Sequence, residues 1–271
     1  MKVAALQMVS GVAPEDNFAQ ARALIAQAAR AGAELLVLPE YFAAMGMRDT
    51  DKLALAETPG DGPIQRWLAQ SAREHGVWLV GGTLALRGSE PGRVRNSSLV
   101  FDPQGRQVAR YDKVHLFVLD RAAEQFDEAR TIAPGSAPVR FALTARDGSR
   151  WRVGLSVCYD LRFPELYRAH AAGGCELLLV PSAFTWTTGR AHWELLLRAR
   201  AIENQAYVLA AAQGGQHQNG RRTWGHSMVV DPWGEVLAQH AEGPAVVVAE
   251  LDAARLAQVR GQLPALRHRV L

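Results

Sequence analysis

The apolar residues of this chain fall into short runs, most of them stopped by proline or glycine, with helical stretches between several of them. Val3 to Met8, Glu34 to Leu38 before Pro39, Val77 to Val80 before Gly81-Gly82, Leu177 to Val180 before Pro181, and Ala206 to Ala212 are the clearest. Runs of this length with little charge read as strands buried on both faces. Between them, apolar residues recur at three- and four-residue spacing. Phe18, Ala21, Leu24, Ile25 and Ala28 mark a helix that opens at Pro14-Glu15-Asp16 and ends at Gly32. Ile64, Trp67, Leu68 and Ala72 mark another over 63–75, with Gly76 as its stop. Further helices are expected over 163–172, over 192–205 and from Asp252 onward.

Hairpin signals are mixed in. Strands over 96–102 and 107–111 flank Pro103-Gln104-Gly105-Arg106, and strands over 141–143 and 151–157 flank Asp147-Gly148. Strands over 227–230 and 236–238 flank Asp231-Pro232-Trp233-Gly234, and 246–250 is the last strand. Residues 120–138 and 213–223 read as loops. Helix–strand alternation with hairpins predicts an α/β fold, a mixed sheet system with helices outside. No linker or repeat interrupts the chain, so residues 1–271 read as one domain.

Several function classes recede on composition. The sequence pI of about 9.1 invites a nucleic-acid reading. However, the basic residues are dispersed among acidic ones, and the longest basic run is the pair Arg221-Arg222. A mixed-sign solvated surface is the better account, with no nucleic acid as partner. No run of about 18 apolar residues exists, so no membrane span is expected. The N-terminal MKVAALQM is too short for a signal peptide and reads as a first strand. Cys158 and Cys175 are the two cysteines, too few for a disulfide framework. These features point to a reducing, cytoplasmic setting. Of the 30 basic residues only Lys2, Lys52 and Lys113 are lysines. A retained lysine can mark a need for a compact ammonium. Drift in codon usage is the preferred account for Lys2 and Lys52.

Glu40, Lys113 and Cys158 each stand just past an apolar strand, where side chains leave a sheet and meet loops. Their chemistry is coherent. A thiol can attack a carbonyl carbon, and its pKa is expected to fall beside an ammonium. A carboxylate can shuttle protons, and an ammonium can stabilise an oxyanion. Taken singly, each has a plainer reading: a small core cysteine, a surface lysine, and a carboxylate at a helix N-terminus.

The local sequences favour the chemical reading. LPEYF at Glu40, YDKVHLF at Lys113 and SVCYDLRFPELYR at Cys158 together resemble the nitrilase superfamily of carbon–nitrogen hydrolases, in the right order and spacing. The likeness runs from KVAALQM to LPALRHR. It implies a four-layer α-β-β-α sandwich. It implies Cys158 as nucleophile, Glu40 as general base, and an oxyanion hole of Lys113 and the Tyr159 N–H. FDEARTIAPG offers Glu128 for the second glutamate of the family, followed here by Ala129 where many relatives have serine.

The second half of the chain, including AAAQGGQH and MVVDPWG, resembles the branch of deaminated glutathione amidases, with the ω-amidases one step away. That implies hydrolysis of a terminal amide of a small 2-oxo acid, through a thioester, to acid and ammonia. No cofactor is implied, and the assembly would be a homodimer or larger. Arg162 is the candidate for a substrate carboxylate, by its fork geometry; an internal ion pair with Asp160 or Glu165 is its plainer reading. Phe184 and Thr188 match pocket positions of relatives, and Tyr41 adds a wall. The 41–52 loop departs from typical amidases. Carbamoylase, nitrilase and a catalytically silent interaction module remain as alternatives.

Other features carry less. The eight histidines form no metal-ligand spacing, and no CxxC occurs. His226 could pair with Cys158 as in Cys–His hydrolases, though a structural histidine is the plainer reading. His192 and Glu194 read as helix-start residues that cap or pack. Cys175 reads as inert packing.

Overall fold

The computed structural model describes residues 1–121 and 124–270. Strands β1 (Lys2–Gln7), β2 (Leu35–Val37), β3 (Trp78–Val80), β4 (Leu84–Arg87), β5 (Val94–Phe101) and β6 (Gln107–Asp112) build most of one sheet. A hairpin of β7 (Val118–Arg121) and β8 (Glu124–Asp127) follows. The second sheet takes β9 (Arg140–Thr144), β10 (Arg150–Leu155), β11 (Leu177–Leu179) and β12 (Tyr207–Ala210). After a small hairpin, β13 (Gly214–Gln216) with β14 (Arg222–Trp224), it is completed by β15 (Ser227–Val230) and β16 (Val236–His240). The last strand, β17 (Ala245–Glu250), returns to the first sheet. The orders are β17-β1-β2-β3-β5-β4, with β6 on β5, and β16-β15-β12-β11-β10-β9.

Both sheets have a parallel centre, β1-β2-β3 and β10-β11-β12. That is why those runs are apolar throughout: each strand is covered on both faces. In the first sheet, Ala4, Leu6, Leu36 and Leu38 pack with Ala21, Leu24, Ile25 and Ala28 of α1 (Pro14–Arg30) and with Leu68 and Ala72 of α3 (Pro63–His75). The alternate residues Val3, Ala5, Leu35 and Val37 share a second cluster with Val153, Leu155, Leu177 and Leu179. The two-residue period of a strand thus sends one set of side chains to helices and the other to the opposing sheet. Helices α4 (Pro164–Ala172) and α5 (Trp186–Asn204) cover the second sheet. The layers run α-β-β-α. One-turn α2 (Asp51–Ala54) starts at the end of the 41–52 region and runs past it, and α6 (Ala253–Gln262) follows β17.

Three expectations are corrected. Residues 120–138 are not all loop: β7 and β8 pair, and Glu128–Arg130 forms a 3₁₀ turn capped by the Asp127 side chain. Positions 122 and 123 of that expected loop lie outside the described residues. The 213–223 loop contains the β13–β14 hairpin. Helix α5 starts at Trp186, six residues before His192, because Thr185 supplies the N-cap oxygen to the Thr188 N–H. Strand β4 had no sequence signal; it adds to β5 from Leu84↔Ser97 to Arg87↔Val94.

Candidate active site

The ends of β2, β6 and β10 converge where the two sheets meet. Past β2, the Glu40 side chain turns under the second sheet. Its Oε2 accepts from the Ala183 N–H at 3.0 Å and its Oε1 from Asn96 Nδ2 at 2.9 Å. Its backbone carbonyl accepts from Gln213 Nε2 at 3.0 Å. Gly82, at φ +48°, passes directly beneath: a Cβ there would collide with the Pro39 carbonyl oxygen. Past β6, Lys113 is held by backbone bonds, donating to the Asn96 carbonyl at 2.9 Å and accepting from the Gly135 N–H at 2.8 Å. Its Nζ donates to Glu40 Oε1 at 3.0 Å and to Glu128 Oε1 and Oε2 at 2.9 and 2.8 Å. Lys113 and Glu40 are each 1% exposed. Glu128 also accepts from the Phe117 N–H at 2.8 Å and the Tyr41 hydroxyl at 2.9 Å.

Past β10, Cys158 begins a 3₁₀ turn (Cys158–Arg162) at φ +49°, a left-handed conformation unusual for a side-chain-bearing residue. Such a residue persists only where its surroundings hold it. Here the Cys158 N–H donates to the Pro181 carbonyl at 3.0 Å. Asp160 ties the turn together. Its Oδ2 accepts from the Val157 N–H at 2.8 Å and the Tyr111 hydroxyl at 2.7 Å, and its Oδ1 accepts from the His115 N–H at 3.0 Å and lies 2.7 Å from His115 Nδ1. Tyr111 and His115 flank Lys113, so one buried carboxylate clamps the lysine segment to the cysteine segment. The Tyr159 N–H, next in the turn, meets no acceptor among the described residues.

The charges of the cluster set its protonation. Burial alone would pull the Lys113 ammonium down, but Glu128 and Glu40 outweigh it and hold it well above the usual lysine range. Glu128 is penalised by burial, yet Lys113 holds it below the ordinary glutamate value. Burial and then the Glu40 carboxylate push the Cys158 thiol well above its usual value, against the pull of Lys113. The ammonium does pull the thiol down as expected, but burial and Glu40 outweigh it, so the expected net fall is corrected. One ammonium already serves two carboxylates, the trio carries a net charge of about −1, and a thiolate would add to it. Burial and the neighbouring Glu40 carboxylate thus favour the thiol form of Cys158 over the thiolate.

Two cavities flank the cluster. One, small and partly open to solvent, is lined by Cys158, Tyr159, Arg162, Phe184, Thr188 and their neighbours. Arg162 forms no ion pair with Asp160 or Glu165. Its Nη1 donates to His192 Nδ1 at 3.2 Å, and its guanidinium lies 5.3 Å from the Phe184 ring and 5.7 Å from that of Tyr159. His192 is thus a contact of the pocket, one turn beyond Thr188 on α5. Phe184 both packs on Trp193 and faces the cavity. The other cavity encloses about 670 Å³, part of it open to solvent, and Tyr41 and Asn96 are among its walls. Tyr41 is thus more than a wall, since its hydroxyl, held protonated by burial and Glu128, binds the Glu128 carboxylate.

His226 is elsewhere. Its ring stacks on Trp224 at 4.3 Å and its Nδ1 meets Gln239 Nε2 at 2.9 Å, so it has no part in the Cys158 cluster. Glu194 pairs with Arg198 on α5. Cys175 is buried in the core. Sequence reasoning missed Asn96, Asp160, Tyr111 and His115. Their only signal was position: Tyr111 and His115 bracket Lys113, and Asp160 follows Cys158 by two. Among the described residues no group of His, Cys, Asp and Glu is arranged to hold a metal, and no helix is long and apolar enough to cross a membrane.

Comparison with known proteins agrees with this geometry. The family model described as carbon-nitrogen hydrolase matches residues 2–261. A deaminated glutathione amidase of Yersinia enterocolitica is 42% identical, over 98% of this chain and 92% of that protein. The human omega-amidase is 38% identical, over 99% and 94%. Among solved structures, a Saccharomyces cerevisiae protein of branch 10 of the nitrilase superfamily superposes with a TM-score of 0.87 at 30% identity, covering 100% of this chain and 97% of that one. A glutamate-to-glutamine mutant of an amidase from Nesterenkonia sp. AN1, solved with acrylamide added to its active site cysteine, superposes at 0.79 and 30% identity, covering 98% and 99%. With its four layers, its buried carboxylate–ammonium–thiol cluster and a family match along nearly its whole length, this chain belongs to the carbon–nitrogen hydrolases of the nitrilase superfamily and is a hydrolase of carbon–nitrogen bonds other than peptide bonds.

Proposed function

We propose that the protein hydrolyses a terminal amide of a small 2-oxo acid, of the deaminated-glutathione kind, through a Cys158 thioester. The observation that carries the reading is the position of Glu40: one carboxylate binds the Lys113 ammonium that would receive the oxyanion and lies close enough to the Cys158 thiol to act on its charge. The thiol proton passes to Glu40 as the Cys158 sulfur bonds to the amide carbon. Negative charge on the carbonyl oxygen falls between the Lys113 ammonium and the Tyr159 N–H, each good donor being worth about 3 kcal/mol. Glu40 then gives its proton to the amide nitrogen, the carbon–nitrogen bond breaks and the nitrogen half leaves, as ammonia from a primary amide or as an amine from an N-substituted one. Water next loses a proton to Glu40 and attacks the thioester; collapse expels the cysteine sulfur, which regains its proton, and frees the acid. Glu128 keeps Lys113 aimed and charged. Arg162 holds the substrate carboxylate beside Phe184 and Thr188. No cofactor enters this scheme. A reducing, cytoplasmic setting suits a free catalytic thiol, and a homodimer or larger homo-oligomer completes the reading.

The test is release of the free acid over a panel of primary and N-substituted 2-oxo acid amides, N-carbamoyl amino acids and nitriles. The expected result is turnover of the 2-oxo acid amides and none by a folded Cys158→Ala protein. Activity retained in that variant, or confined to the other classes, would end the proposal. A second reading, ω-amidase action on 2-oxoglutaramate, is favoured by the 38% identity to the human omega-amidase. Side-by-side rates on 2-oxoglutaramate and deaminated glutathione separate the two.

A further inference from the structure

One buried cation belongs neither to the carboxylate–ammonium cluster nor to the walls of either cavity. Arg200, near the C-terminal end of α5, is 5% exposed. Its Nε and Nη2 both donate to the Leu161 carbonyl, at 3.0 and 2.7 Å, and its Nη1 donates to Glu203 Oε1 at 2.9 Å. Its guanidinium also lies 5.3 Å from the Tyr167 ring. Burying a guanidinium is costly, and an apolar side chain of similar volume often stabilises a core as well or better. Stability alone is thus a weak reason for an arginine at this place. What it holds, with two donors, is a single carbonyl.

That carbonyl lies at the end of the 3₁₀ turn that carries the nucleophile. It belongs to the peptide that joins Leu161 to Arg162, and Pro164, the first residue of α4, has no N–H to offer it. Arg200 also bears on the entry to the turn. The hydroxyl of its neighbour Tyr167 lies 2.7 Å from Ser156 Oγ, which donates to the Leu179 carbonyl at 2.7 Å. Cys158 sits in the left-handed region, so the turn keeps its shape only while both ends are held. Arg162 is fixed at its tip by the same helix: its guanidinium bonds His192 of α5 and lies near the rings of Phe184 and Tyr159. One helix thus grips the backbone of Arg162 through Arg200 and its side chain through His192. The Cys158 sulfur stands at the other end of that turn.

We infer that Arg200 is a positioning residue that fixes the span between the Cys158 sulfur and the Arg162 guanidinium, and with it the chain length of the amide that the enzyme accepts. This rests on the proposed function for the substrate carboxylate at Arg162. In a 2-oxo acid amide the number of methylene groups sets the distance from the carboxylate to the amide carbon. A held span serves one length well, because a misplacement of about 1 Å can cost about 10²-fold in rate. Without the two donors the Leu161–Arg162 peptide is free to turn, and the site accepts several lengths poorly.

The probes are 2-oxoglutaramate and its homologues with one methylene fewer and one more. The length preference is measured as kcat/KM on the active enzyme and, by calorimetry, as binding to the Cys158→Ala protein. The native enzyme should favour one length over its neighbours by about tenfold or more, and Arg200→Met should bring the three within about threefold while kcat on the best falls about tenfold. Arg200→Lys, which keeps the charge beside Glu203 and loses the fork, should also flatten the preference. The ratios are internal to each preparation, so a variant of reduced stability still reports, and if the methionine variant does not fold the lysine variant decides. A role in stability alone predicts less folded protein with an unchanged preference. That result, or no length preference in the native enzyme, overturns the inference. If the active enzyme turns over none of the three, the proposed function fails, and binding to Cys158→Ala with and without the Arg200 substitution decides the span by itself.

Discussion

Replacing Glu40 by glutamine should separate two properties that usually fall together, turnover and thiol reactivity. In the native cluster Lys113 serves Glu40 and Glu128 at 2.8–3.0 Å, leaving the trio net negative and the Cys158 thiol protonated. The amide removes one negative charge at hydrogen-bonding range and keeps the shape. A unit charge about 4 Å away is worth about 4 kcal/mol at an effective dielectric of about 20. At about 1.4 kcal/mol per unit, that is at most about 3 pKa units, and nearby charges typically move a group by about 1–3. The thiolate fraction at neutral pH should rise by the same factor. A less basic thiolate is also a weaker nucleophile, with a Brønsted slope of about 0.45, so alkylation by uncharged iodoacetamide should quicken roughly 3- to 40-fold. Turnover should drop by about 10²–10⁴ or more with the base gone. The assay is alkylation rate against pH, followed by mass spectrometry of the intact chain. Cys175 is a usable internal control, because burial pushes its thiol up to about 11. If alkylation at neutral pH slows in step with turnover, the charge argument for the resting thiol is wrong.

Lys113→Arg should lose at least about 10²-fold in kcat, because a planar guanidinium cannot place one compact donor between two carboxylates and an oxyanion; steady-state kinetics on the best amide checks it. Glu128→Gln should flatten the acid limb of the stability curve. The folded pKa of Glu128 is depressed, so its contribution is full above the unfolded value of about 4.3 and vanishes as pH falls through the folded one. Urea titrations from neutral pH to about pH 3 should show a shallower decline in the variant. Asp160→Asn should cost about 1.5–3 kcal/mol, the worth of one charge-assisted hydrogen bond, and lower kcat more than KM, since it loosens the tie between the Lys113 and Cys158 segments. Gly82→Ala should destabilise by more than the about 1 kcal/mol set by its backbone conformation alone, because the added carbon meets the Pro39 carbonyl beneath Glu40; thermal unfolding reads it.

Much of the fold was legible because its parallel strands advertise burial on both faces. ELLVL and LLLV have no solvent side to signal otherwise. The elements that escaped, β4 and the β7–β8 and β13–β14 hairpins, are only three or four residues long, and they form because a partner strand is already in place. The same contrast holds within the site. Glu40, Lys113 and Cys158 stand at strand ends, which periodicity finds. Asn96 sits inside β5 among buried neighbours, and nothing in the string marks it as the donor to Glu40. The thiol was misjudged for a related reason. Lys113 does lower the thiol, but its pull is outweighed by burial and by Glu40, which arrives from a distant part of the chain.

The Asp160 clamp and the Ala183–Glu40 bond span the seam between the two sheets. Neither half-structure, folded by itself, holds base, ammonium and thiol in one place. On a ribosome the base emerges early and the cysteine more than a hundred residues later, so the chain stays chemically quiet until the sheets close on each other. Catalytic competence is in this sense a proofreading mark for assembly: a molecule that turns over substrate has already docked its two halves correctly.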